Sequence, residues 1–70
     1  MKPYSMVIQW FETDQLYLVH LPEFPTQQFV THGNTYEEAA RNGQEAIDSL
    51  VEWYKSQGKP LPQPILAEIA

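Results

Sequence analysis

The sequence predicts an α+β two-layer sandwich: a three- to four-stranded antiparallel sheet with one long helix across one face, in the order β-β-β-α-β. Three observations lead there. Large apolar side chains alternate with smaller or polar ones over residues 4–10, and a second apolar stretch follows at 16–21. A stripe at helical spacing then runs from Tyr36 to Gln57 behind a capping sequence.

Period two places Tyr4, Met6, Ile8 and Trp10 on one face of the first strand, with Ser5, Val7 and Gln9 on the other. Phe11-Glu12-Thr13-Asp14-Gln15 breaks the alternation with turn chemistry, and so short a connection predicts an antiparallel hairpin. The second strand, Leu16 to Leu21, has Leu16, Leu18 and His20 on one face and Tyr17, Val19 and Leu21 on the other. Both faces are largely apolar, as in a strand covered on two sides. Pro22-Glu23-Phe24-Pro25 ends it, because proline brings no ladder N–H. A shorter third strand is expected from about Gln27 to His32.

Gly33-Asn34-Thr35 reads as a turn into the helix. Thr35 and Glu38 fit a capping box, in which the threonine hydroxyl accepts from a free backbone N–H and the glutamate reaches back to the cap residue. Apolar or small residues fall at 36, 39, 40, 43, 46, 47, 50, 51 and 54, and charged or polar ones fill the opposite arc. Gly58 supplies a left-handed stop and Pro60 prevents a restart. Ala39, Ala40, Gly43 and Ala46 make the first half of the stripe small, leaving room for Trp10 or Phe29. Ile47, Leu50, Val51 and Tyr54 fill the wider end. The proline-spaced tail, Lys59 to Pro64, is expected to be extended. Residues 65–69 read either as a fourth strand or as a frayed end.

One helix covers one face of a sheet, yet the second strand is apolar on both. A second copy of the chain, or another protein, is expected on the other face.

Seventy residues make one domain, residues 1–70, whose core is thin, because a chain this short buries only about 60 % of its unfolded surface. Without cysteine it has neither disulfides nor thiolate metal sites. Nine acidic residues stand against four basic ones, a net charge of −5. That is the wrong sign for displacing counterions from nucleic acid. It suits a basic partner, and solubility alone explains it equally well. No apolar run approaches the ~20 residues of a membrane span, and no leader-like stretch opens the sequence, so a cytoplasmic address is expected.

No catalytic constellation emerges. His20, His32, Asp14 and Glu23 lie on separate elements, and neither a metal nor another cofactor is expected. Ser5, Ser49 and Ser56 lack a glycine-rich elbow. Glu37, Glu38, Glu45, Asp48 and Glu52 belong to the helix's wet side, where Asp48 and Glu52 form a mildly repulsive pair at i,i+4. Trp10, Trp53, Tyr17, Phe24 and Tyr54 are many aromatics for so small a core; they either fill it or mark an interface.

Four segments resemble the HicB-type antitoxin domain, in the family's order and over nearly the whole chain: Tyr4-Ser5-Met6-Val7-Ile8, Leu21-Pro22-Glu23-Phe24-Pro25, residues 31–39 and residues 58–64. Gly33-Asn34-Thr35 with Glu38-Ala39 is the most specific of them, standing where the family typically has Gly-Asp-Thr and Glu-Ala. The resemblance implies a partial ribonuclease-H-like fold without nuclease residues. It also implies the role of antitoxin to a small basic HicA-like toxin that cleaves messenger RNA, with homodimers or higher homo-oligomers common. The family's DNA-binding extension does not occur within these seventy residues, so direct nucleic-acid binding is not expected. The loop after Phe24 also departs from the family, lacking its frequent Gly and Cys.

The expected function is therefore a non-catalytic module that occludes a basic ribonuclease. Charge and anticipated exposure nominate Glu23 and Phe24 in the loop, Trp53 beside the helix stripe, and Glu45, Asp48 and Glu52 as its contacts. The alternatives are a self-associating domain without a toxin, and a metal-dependent RNA-processing enzyme that would use Asp14 and Glu23.

Overall fold

The computed structural model describes residues 3–24 and 30–67. Strands β1 (Val7–Phe11), β2 (Leu16–His20) and β3 (Thr31–Gly33) precede helix α1 (Tyr36–Ser56). The sheet is antiparallel in the order β1-β2-β3, giving the expected α+β class.

β1 begins later than the alternation suggested. Its register runs from Val7 opposite His20 to Phe11 opposite Leu16, closing a hairpin around Glu12-Thr13-Asp14-Gln15. Gln15 takes a positive φ of 53° to bring the chain back. Ser5 lies outside the ladder because its backbone N–H is bound by the Glu23 carboxylate instead. β2 stops at His20, one residue early, since the Leu21 carbonyl accepts the Phe24 N–H at 3.1 Å in a tight turn over Pro22 and Glu23.

β3 is shorter and later than expected. Gly33, expected in the turn, belongs to it opposite Tyr17, and His32 is a strand residue opposite Leu18. Residues 27–29 of the expected strand lie outside the described residues. So do residues 68 and 69 of the possible fourth strand, while 65–67 form no strand.

The helix is capped as its sequence implies, with one change of partner. The Glu38 N–H donates to Thr35 Oγ1 at 3.0 Å, and the Ala39 N–H to the Thr35 carbonyl at 2.9 Å. The Glu38 carboxylate reaches past the cap residue and accepts the Asn34 N–H at 2.6 Å. At the far end Gly58, at φ 66°, donates to the Lys55 carbonyl, and Lys59 donates to that of Tyr54, a Schellman closure.

The buried core comprises Val19, Leu21, Phe24, Ala39 and Ile47, with Met6, Ile8, Leu50 and Tyr54 packed around it. Met6 and Val19 face Gly43, in the space for which the sequence suggested Trp10 or Phe29; Phe29 lies outside the described residues. Trp10 instead packs edge-on against Tyr17 and is 48 % exposed. Because Tyr17 and Val19 face the helix, alternation turns Leu16, Leu18 and His20 the other way, together with Val7, Phe11 and His32 across the ladder. Val7 and Phe11 are 40 % and 37 % exposed, so the face opposite α1 presents apolar side chains to solvent at its edge strand, interrupted by Gln9 and flanked by His20 and His32.

Candidate functional site

The six residues nominated as contacts divide into two groups. Glu23 and Phe24 are not exposed, contrary to the premise on which they were chosen: they retain 8 % and 2 % of their surface. The turn after β2 drives both inward. Phe24 meets the Tyr4 ring edge-on at 4.8 Å and the Tyr54 ring at 5.7 Å, joining the chain's start to the end of α1. Glu23 does the same with hydrogen bonds. Its two carboxylate oxygens accept the Ser5 N–H at 3.0 and 3.1 Å, and one also accepts the Ile65 N–H at 3.0 Å.

Burial alone would raise the pKa of Glu23. The N–H groups of Ile65 and Ser5 outweigh it and hold the carboxyl below its ordinary value. Nearby, the Tyr4 hydroxyl donates to the Pro62 carbonyl at 2.6 Å; burial first, and the Glu23 charge second, push its pKa up. Both residues fasten the proline-spaced tail to the start of β1.

Glu45, Asp48 and Glu52 are exposed on the helix face turned away from the sheet, and Trp53, on its flank, is 46 % exposed. The Trp53 ring packs edge-on against Tyr54 at 5.4 Å, and the Schellman closure brings the Lys59 ammonium over it at 4.7 Å. Three carboxylates at i, i+3 and i+7 repel one another in the free protein, and a cationic partner would relieve that cost. Among the described residues no group of three or more His, Asp or Glu is placed to hold a metal ion. Asp14 and Glu23, the pair needed for metal-dependent chemistry, sit beyond opposite ends of β2. No described helix is long and apolar enough to cross a membrane.

A second exposed group lies at the other end of the molecule. The Tyr17 ring contacts Trp10 at 5.0 Å and Tyr36 at 4.3 Å, forming a continuous run of three rings. Partial burial, then the Tyr36 phenol, raises the pKa of Tyr17. Tyr36 is 65 % exposed. The indole N–H of Trp10 donates to Glu12 Oε1 at 2.7 Å. The alternation puts Trp10 and Tyr17 on the helix-facing side, but the helix begins only at Tyr36, which leaves this end of the hairpin uncovered.

Protein-family models, curated proteins and solved structures yield no match to the chain.

Proposed function

We propose that the chain is a non-catalytic, antitoxin-like module that binds a small basic, messenger-RNA-cleaving toxin of the HicA type and occludes its RNA-binding surface. The observation that carries this reading is the exposed row Glu45, Asp48 and Glu52 beside the half-exposed Trp53. In a chain of net charge −5, three exposed carboxylates on one face of a single helix favour the approach of a cationic protein. The HicB-like motifs around Gly33 and along the proline tail supply the partner class. Glu23 and Phe24 support the complex indirectly, by fixing the chain ends from which Trp53 and Lys59 are presented.

The test is a cleavage assay with a HicA-type ribonuclease and a messenger RNA. The chain is expected to suppress cleavage at equimolar ratio, and a Glu45→Lys/Asp48→Lys/Glu52→Lys variant to lose suppression along with most of the salt dependence of binding. Unchanged binding and unchanged salt dependence in that variant would refute the electrostatic mechanism. Absence of suppression by the parent chain would refute the antitoxin role.

The open sheet face favours a second reading, self-association. Val7, Phe11, Leu16 and Leu18 offer a second copy an apolar surface that α1 does not cover. A homodimer through this face leaves the acidic side of α1 free, so the two readings are compatible.

A further inference from the structure

We infer that the run Trp10–Tyr17–Tyr36 is a docking platform for arginine side chains of a basic protein segment, separate from the acidic face of α1. Aromatic rings exposed to the extent of Trp10 and Tyr36 are costly to leave in water, and both pack on Tyr17, Trp10 edge to face and Tyr36 tilted at 31°. Their surroundings are acidic. Glu12 sits at the indole edge of Trp10, Asp14 lies in the same turn, and Glu37 occupies the first turn of α1 beside Tyr36. Glu37 and Glu38 together outweigh the roughly half positive charge of the helix N-terminus.

The chain already contains one ring–cation contact of this kind. Of its two tryptophans, Trp53 carries the cation Lys59, supplied from the same chain. Among the described residues no cation lies over Trp10, Tyr17 or Tyr36; the nearest in sequence, Arg41, reaches instead to Glu37 at 3.5 Å. The complement of an open indole face with a carboxylate at its edge is a flat cation that stacks and forks at once. Guanidinium does both, whereas an ammonium does neither as well. The platform takes arginine whether or not the basic partner is a nuclease.

The test uses the full chain with Trp53→Phe, so that Trp10 is the sole tryptophan, read by its red-edge fluorescence, and the sole indole N–H resonance. Hexa-arginine and hexalysine amides are titrated at physiological salt. Hexa-arginine is expected to bind at least about 3-fold more tightly and to shift the Trp10 indole resonance. Tyr36→Ala, whose fold is checked by circular dichroism, is expected to weaken it about 2–5-fold, as is Glu12→Gln. Equal affinity for the two peptides, an unmoved Trp10 resonance, or indifference to Tyr36→Ala would each overturn the assignment. A chain that binds hexa-arginine in this way yet fails to suppress the ribonuclease would refute the antitoxin role and leave the platform standing.

Discussion

The Glu23 carboxylate holds the Ile65 N–H at 3.0 Å across 42 residues of sequence. Through the same group the start of the chain, the turn after β2 and the tail beyond α1 are tied at one point, since Ser5 donates to it as well. Segments with no ladder of their own thereby acquire partners for their backbone N–H groups.

Replacing this carboxylate should therefore be felt as loss of global stability. Glu23→Gln keeps the size but turns an amide N–H₂ toward backbone donors, and is expected to cost about 1.5–3 kcal/mol at pH 7 in urea denaturation. The folded carboxyl titrates below its ordinary 4.5, so its contribution is complete above that pH. It is lost as the pH falls through the lower, folded-state value. The gap between parent and variant should narrow below pH 4.5; a gap that widens on acidification would contradict this role.

Two glycines should respond to alanine for different reasons. A Cβ on Gly33 would stand 2.7 Å from Ala39 Cα and 2.8 Å from the Glu38 carbonyl carbon, backbone atoms with nowhere to go. Gly33→Ala is expected to lose about 2–3 kcal/mol as α1 is forced off the sheet. Gly58 has open space around it and only its φ of 66° to protect, so Gly58→Ala should cost about 1–2 kcal/mol. Thermal melts of both variants give the ranking directly.

The N-cap offers a smaller, cleaner perturbation. Thr35→Ala removes the acceptor for the Glu38 N–H and should cost about 1 kcal/mol, while Thr35→Ser should be nearly neutral. For a domain of this size that corresponds to about 4–8 °C in Tm. Equal melting of the alanine and serine variants would show that the hydroxyl contributes nothing.

The open sheet face predicts a change of mass rather than of fold. Light scattering of the parent should give at least twice the 8.1 kDa of one chain, and Val7→Lys/Phe11→Lys should return it to one. Both positions are more than a third exposed in the isolated chain, so its circular dichroism should be unaltered. A parent chain that stays monomeric at high concentration would remove self-association.

The elements were legible because each rests on a local rule. Period two marks the hairpin, the 3.6-residue stripe and the Thr35 cap mark α1, and Gly58 marks its end. The boundaries were not, because they depend on partners distant in sequence: Ser5 leaves the ladder for Glu23, and Leu21 leaves it for Phe24. The acidic row Glu45, Asp48 and Glu52 could be placed on the wet face from spacing alone. The burial of Glu23 and Phe24 could not, since a proline-flanked loop reads as exposed until Tyr4, Tyr54 and Ile65 are seen to close over it.

By itself the sequence determined the class of fold, the helix with its caps, the two apolar faces of the central strand and the excess of negative charge. These follow from neighbours within one or two turns of chain. Tertiary structure alone decided that an apparent loop carboxylate is a buried clasp, and that Trp10, Tyr17 and Tyr36 gather into one exposed array. Both depend on where the helix starts relative to the hairpin and where the tail returns. Only packing fixes that offset, because no local pattern encodes the distance between elements that meet from opposite ends of the chain.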